Sequence, residues 1–349
     1  MASGAIFSAD CVISGLLMVA ILPKMCTSRY GYLKQVIMLQ NEILQAVDIL
    51  RAGGLVALPT ETVYGLGADA SNASAVKKIY AAKQRPADHP LIVHVADVNQ
   101  LAKWAVAISD EAMLLAKTFW PGPLTLILKK APGVDDGLTG GQDTVGLRIP
   151  AHPVALAVLK EFGGGVAAPS ANRFGRISPT TAAAVREELG SAVDLILDGG
   201  QCDVGVESTI VDVSGDDPVI LRPGMITAQQ IEDVLHQHIR AQKKNAPRVS
   251  GSHASHYAPV TQTVLCSSAD VELFLKHPVE KTIVLTWSLS QANQVFLRKM
   301  PENPHQYAHD LYQVLREIDK QNWQKIIIER VPETAEWDAI RDRLQRAAG

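Results

Sequence analysis

A chain of 349 residues has room for two domains of ordinary size, and 47% hydrophobic with 20% charged residues is the balance of a globular protein with a sizeable core. A net charge of −3 excludes a global polyanion-binding footprint, so any contact with RNA must come from a local patch, and 5% aromatic residues leave few rings for stacking bases. Cys11, Cys26, Cys202 and Cys266 are scattered with no C-x-x-C pair, which fits neither a zinc site nor a disulfide framework and points to a reducing compartment.

Residues 1–37 read as an extension in front of Met38. Within it, Cys11 to Leu22 is mostly apolar, but it is too short to span a bilayer and has no basic residue before it, unlike a secretory signal. An upstream start codon accounts for the extension; an anchoring or targeting role is the alternative.

From Met38, Ile43, Leu44, Val47 and Leu50 give Asn41–Arg51 helical spacing, and Gly53-Gly54 end that helix. Leu55–Leu58 is a short apolar run that reads as a buried strand stopped by Pro59, and the hydroxyl- and glycine-rich Thr60–Gly67 must turn before a helix over Ala73–Lys83. A helix start leaves N–H donors unpaired and carries partial positive charge, so a strand, donor-lined turn and helix can hold an anion. Lys77, Lys78, Lys83 and Arg85, with no acidic residue between Ser71 and Pro86, bias the local field towards phosphate or carboxylate.

Pro86 and Pro90 bracket a loop before the strand Leu91–Val95, with His89 and His94 at the two ends of that unit. Asp110–Phe119 reads as a helix, Leu124–Leu128 and Thr144–Ile149 as strands, the second holding Arg148, and Pro153–Phe162 as a helix with proline in its first turn. Val166–Pro169 is a short strand opening into Ser170–Thr180, a loop of small hydroxyls, Asn172, Arg173 and Arg176 with no carboxylate before Glu187. Two anion-attracting loops that each follow a strand suit a shared cleft. Strands follow over Ala192–Leu197, Gly205–Val213 and Val219–Leu221, the last leading into Arg222, and Thr227–His238 is a helix.

Gln237–Ala258 is polar, basic and poor in aliphatics, and reads as an interdomain linker. Beyond it come strand Gln262–Cys266, helix Ala269–Lys276, strand Thr282–Trp287, helix Pro304–Lys320, strand Lys325–Glu329 and helix Glu336–Arg346. That alternation predicts a small parallel α/β domain with right-handed crossovers.

With these residues laid out, the chain resembles the Sua5/YrdC family, the threonylcarbamoyl-AMP synthases, in its long two-domain Sua5 form. The resemblance is carried by Leu58-Pro59-Thr60-Glu61-Thr62-Val63-Tyr64-Gly65-Leu66-Gly67, Lys83-Gln84-Arg85-Pro86 with Pro90-Leu91, Trp120-Pro121-Gly122-Pro123-Leu124-Thr125 and Gly146-Leu147-Arg148-Ile149-Pro150. Pro169-Ser170-Ala171-Asn172, Glu207-Ser208-Thr209-Ile210, Arg222-Pro223-Gly224 and His256-Tyr257-Ala258-Pro259 complete it in the family's order.

The resemblance implies an α/β fold: an open, twisted YrdC-like catalytic domain over 38–238, a linker over the active site at 239–259, and a smaller Rossmann-like parallel α/β Sua5 domain over 260–349. It implies an enzyme joining L-threonine, bicarbonate or CO2, and ATP into threonylcarbamoyl-adenylate with release of pyrophosphate. The adenylate would feed N6-threonylcarbamoylation of adenosine 37 in tRNA through a downstream transferase complex, in the cytoplasm, with a possible contact to tRNA and none to a membrane.

Carried over by position, Thr62, His94, Arg148 and Ser208 resemble threonine contacts, the last two towards its carboxylate and hydroxyl. Lys83 and Arg85 resemble the catalytic phosphate clamp. His89, Val145, Ser170, Asn172, Thr180, Arg222 and Tyr257, together with Arg85, resemble ATP contacts. Mg²⁺ would arrive with ATP, with no protein ligand set assignable and no organic cofactor. The rival reading is an RNA-binding module of the YrdC type without adenylation activity. Related carbamoyl-transferring maturation factors carry zinc-finger cysteine pairs, which this chain lacks.

Overall fold

A computed structural model of the chain describes residues 29–239, 246–251, 257–277, 279–289 and 296–349. The apolar run Cys11–Leu22, Cys26 and the linker positions Ser252 to His256 lie outside the described residues.

Helix α1 (Arg29–Arg51) begins upstream of the expected Asn41 and runs through Met38. Ile43, Val47 and Leu50 are buried as the spacing predicts, whereas Leu44 faces solvent. Strand β1 (Val56–Leu58) then turns back, and Gly65–Asp69 is not the run-up to a helix but a second strand, β2, antiparallel to β1 with Leu58 opposite Gly65. The glycines that read as turn formers serve sheet packing instead: a Cβ on Gly67 would lie 3.0 Å from both the Val56 carbonyl and a Val166 methyl. Helix α2 (Ala73–Lys83) follows only after β2, and Asn72 caps its first donors by accepting from the Ser74 and Ala75 N–H groups. Its start therefore serves no anion.

The elements of the first domain continue as β3 (Ile92–His94), α3 (Asp110–Phe119), β4 (Leu124–Lys129), α4 (Asp136–Thr139), β5 (Thr144–Arg148) and α5 (Pro153–Phe162). After them come β6 (Val166–Ala167), α6 (Ala182–Leu189), β7 (Leu195–Ile196), β8 (Thr209–Asp212), β9 (Val219–Arg222) and α7 (Ala228–Leu235). Short α4 and α6 were not legible as separate helices. The strands form one mixed sheet in the order β7-β1-β2-β6-β3-β5-β4-β8-β9.

The second domain comprises β10 (Gln262–Cys266), α8 (Ser268–Lys276), β11 (Thr282–Thr286), β12 (Leu297–Lys299), α9 (Pro304–Asp319), β13 (Lys325–Glu329) and α10 (Asp338–Ala347). Its sheet, ordered β10-β13-β11-β12, is parallel at every pairing, as the alternation predicts, with β12 as an unforeseen edge. At the carboxyl end of β13 the buried Glu329 accepts hydrogen bonds from Ser268 Oγ, Thr286 Oγ1, Ser288 Oγ and the Trp287 and Ser288 N–H groups. Burial alone would push that carboxyl up, but these donors hold it below its ordinary value.

The two domains share one apolar cluster, in which Val63, Ile177 and Val206 pack with Tyr257, Tyr307, Leu311 and Leu344. Polar ties reinforce it: Arg316 donates to the Ile177 carbonyl at 2.6 Å, and Lys320 pairs with Glu187 at 2.6 Å. Gly205, at φ +82°, lets its main chain abut α9; a Cβ there would lie 2.4 Å from the Ala308 carbonyl oxygen.

Candidate active site

The β1–β2 turn is folded by Thr60, whose Oγ1 donates to the Val63 carbonyl at 2.6 Å and accepts from the Thr62 and Val63 N–H groups at 3.2 Å. This places Thr62 on a cavity of about 500 Å³, open mouth included. The opposite wall comes from adjacent parallel strands. His94 on β3 is in register with Arg148 on β5, so both side chains emerge on one face of the sheet. Arg148 is fixed from three directions, donating to Thr62 Oγ1 at 2.9 Å and the Gly122 carbonyl at 3.2 Å and pairing with Glu61 at 2.7 Å.

Arg85 enters from the loop after α2, donating to the Pro90 carbonyl at 2.9 Å and to Ser250 Oγ at 3.1 Å. Arg222, at the end of β9, is held by the Ser208 carbonyl and Oγ and donates to the Ser250 carbonyl at 2.9 Å. Ser250, Gly251 and Tyr257 of the linker therefore line the cavity. A Cβ on Gly251, at φ +83°, would fall 2.0 Å from the Tyr257 hydroxyl, so only glycine fits beneath that ring.

Electrostatically the cavity favours anions. Among the described residues neither Arg85 nor Arg222 has a carboxylate within 4.0 Å, although both are buried. Burial, partly offset by Tyr80 and Tyr257 and deepened by Arg222, pushes the Arg85 guanidinium down to about 10. Burial and then Arg148 press the His94 imidazole well below its ordinary value, so it is neutral near pH 7, and its Nδ1 has no hydrogen-bond partner among the described residues. Among the described residues Glu207 is the one carboxylate on the cavity wall. Burial would raise it, but the Arg343 and Arg222 guanidiniums and a hydrogen bond from Ser178 hold it at about 2.

Of the residues singled out from sequence, Thr62, Arg85, His94, Arg148, Ser170, Ser208, Arg222 and Tyr257 meet on this cavity. Lys83, His89, Val145, Asn172 and Thr180 do not line it. Lys83 is fully buried behind the wall, with Nζ 2.5 and 2.6 Å from the Ser170 and Asn172 carbonyls, and burial followed by Arg85 lowers its pKa well below the usual value. It braces the Pro169–Asn172 loop. Asn172 donates to the Arg173 and Arg176 carbonyls. Its Oδ1 has no partner among the described residues. Val145 is in the apolar core, Thr180 is buried and accepts the Cys202 N–H on its carbonyl, and the His89 ring stands edge-on to Phe174 at 5.1 Å.

The basic cluster expected after the first turn divides. Lys78 donates to the Gly53 carbonyl and Lys77 is exposed, both away from the cavity. In the second loop, Arg173 turns to the Glu188 carbonyl and Arg176 to Asp319 of α9. Sequence reasoning passed over Glu61 and Glu207; a carboxylate inside an otherwise basic and hydroxyl-rich motif was the available signal.

Two family models together cover most of the chain. One, described as Telomere recombination, matches residues 48–224, and the other, Threonylcarbamoyl-AMP synthase, C-terminal domain, matches residues 226–349. The threonylcarbamoyl-AMP synthase of Pyrococcus abyssi is 39% identical over 318 residues, 87% of this chain and 93% of the relative, and that of Bacillus subtilis 41% identical over 327 residues, 88% and 93%. A crystal structure of the P. abyssi Sua5 protein complexed with L-threonine superposes with a TM-score of 0.81 at 39% identity, covering 88% of this chain and 94% of that one.

Proposed function

The chain belongs to the Sua5/YrdC family in its long two-domain form, and from that premise we propose that it is a threonylcarbamoyl-AMP synthase whose cavity joins L-threonine, bicarbonate or CO2, and Mg-ATP. The observation that carries this reading is the pair of buried guanidiniums, Arg85 and Arg222, with no carboxylate partner among the described residues, sharing one cavity with Thr62, neutral His94 and Ser208, the last hydrogen-bonded to Arg222 itself. Such a site suits a polyphosphate at one end and a hydroxylated amino acid at the other.

Arg148, already fixed by Glu61 and Thr62, presents N–H groups to the threonine carboxylate, and the orphaned His94 Nδ1 accepts from the amino acid. The threonine amine, once neutral, attacks CO2, a carbamate oxygen then attacks the α-phosphorus, and pyrophosphate leaves. Negative charge grows on the leaving group, where Arg85 and Arg222, buried and fixed in advance, stabilise it without reorganisation. Holding three reactants in line supplies a further gain of roughly 7–11 kcal/mol. Lys83 acts here through the loop it braces.

Mg²⁺ enters as part of the nucleotide substrate. Among the described residues no group of three or more His, Cys, Asp and Glu side chains could hold a metal ion, and Glu61 and Glu207 are each engaged by an arginine. The product would pass to a transferase acting on adenosine 37 of tRNA. No helix of the described residues is long and apolar enough to cross a membrane, and with the scattered cysteines this supports a cytoplasmic setting.

The test is pyrophosphate release from Mg-ATP with L-threonine or bicarbonate omitted in turn. Release that requires both is expected. Release that requires neither, or tight tRNA binding with no release, would replace this reading with a plain ATPase or an RNA-binding module.

A further inference from the structure

Arg343 lies on α10 of the second domain, yet it reaches into the wall of the cavity and is fully buried there. Its Nε donates to Glu207 Oε2 at 2.7 Å, its Nη1 to the Pro223 carbonyl at 3.0 Å and its Nη2 to the Glu207 carbonyl at 3.4 Å. One guanidinium thus grips the residue before Ser208 and the residue after Arg222. It also lies 5.2 Å above the Tyr257 ring.

Glu207 is otherwise bound by Ser178 Oγ at 2.6 Å and by Tyr312 Oη, from α9, at 2.9 Å. Among the described residues every hydrogen bond to this carboxylate comes from Ser178 or from the second domain, and none from Arg222. That division matters because Glu207 is a carboxylate on the wall of a cavity that binds anions. Left alone and desolvated, it would pair with Arg222 or repel the incoming phosphates.

We propose that Arg343 is a positioning residue for the nucleotide: by claiming Glu207 it keeps that carboxylate from pairing with Arg222, whose charge is left to bind phosphate, so that the second domain sets the affinity of the first domain's site. Tyr312 assists from the same side. The inference rests on the reading of the cavity as an ATP site. The charged and titratable groups around Glu207 are Arg343, Arg222, Asp342, Tyr257 and Tyr312, with Lys83 behind the wall.

The experiment compares Mg-ATP and L-threonine binding by calorimetry in wild type, Arg343→Met, and the Glu207→Gln/Arg343→Met double variant, with pyrophosphate release alongside. Removing one partner of a buried charge pair should weaken Mg-ATP by about tenfold or more. The double variant, which deletes the stranded carboxylate charge, should return to within about threefold of wild type. L-threonine, bound on the Arg148 side, should stay within about twofold. A merely structural Arg343 would lower both affinities together and show no rescue, and that pattern, or unchanged Mg-ATP affinity in folded Arg343→Met, overturns the proposal. Should Arg343→Met fail to fold, Tyr312→Phe removes a single donor from Glu207. An approximately threefold loss confined to Mg-ATP is then expected, and no selective loss overturns it. The two readings fail differently: wild type that binds no Mg-ATP defeats the ATP site itself, whereas wild type that binds it and a variant that binds it equally defeat only the role of Arg343.

Discussion

Arg85→Met separates the cost of the site from its use. In the ligand-free protein Arg85 is a buried cation beside Arg222, with no carboxylate within 4.0 Å among the described residues and only the Pro90 carbonyl and Ser250 Oγ as partners. Losing two hydrogen bonds while relieving that burial leaves the free protein within about 1 kcal/mol of wild type. Bound to a triphosphate, the same side chain makes two charge-assisted hydrogen bonds of roughly 1.5 kcal/mol each at the low end, together about 3 kcal/mol, or about 150-fold in Kd. At Mg-ATP one hundred times the wild-type Kd, wild type gains about 2.7 kcal/mol against unfolding, and the variant about 0.3 kcal/mol. Urea unfolding with and without Mg-ATP measures both quantities. A folded variant that keeps a nucleotide gain above about 2 kcal/mol refutes the clamp.

Thr62→Ala removes a hydroxyl that receives Arg148 Nη1 at 2.9 Å, and is expected to raise the L-threonine KM about tenfold while Mg-ATP affinity moves less than about twofold; steady-state kinetics with each substrate varied decide it. For Glu207, held at about 2 against an ordinary 4.5, the stabilisation from ionisation is complete above pH 4.5 and is lost as pH falls from there towards 2. The stability gap between wild type and Glu207→Gln should therefore narrow by about 3 kcal/mol over that interval, as read by chemical denaturation at a series of pH values. Glu329→Gln puts an amide donor where Ser268, Thr286, Ser288 and two backbone N–H groups all donate, and should cost about 2–3 kcal/mol of stability with kcat retained below the melting range.

The second domain was legible because its strands are short β-branched runs, such as Lys325–Glu329, spaced by amphipathic helices, and the parallel order follows from that alternation. The first turn misled because Gly65 and Gly67 have two uses, and only the approach of the Val56 and Val166 neighbours tells sheet packing from turning. At the site, Arg85 and Arg148 stand out as cations at strand or helix ends. Lys83, two positions from Arg85, is the last residue of α2 and binds the Ser170 and Asn172 carbonyls behind the wall, because the left-handed Gln84 between them breaks the helix, a distinction that composition does not carry. Glu207 and Arg343 were illegible as a pair for a different reason: they lie 136 positions apart and meet only when both domains are in place.

The meeting of Gly205 with α9 is a contact of main chain on main chain. Neither side offers a side chain whose replacement the other could answer, so homologous sequences will show no correlated substitutions there, and methods that infer proximity from covariation will be blind to it. Yet here the two main chains approach closely enough to leave no room for a Cβ. Any residue larger than glycine at 205 must wedge them apart, and selection will register there as simple invariance, easily mistaken for a turn.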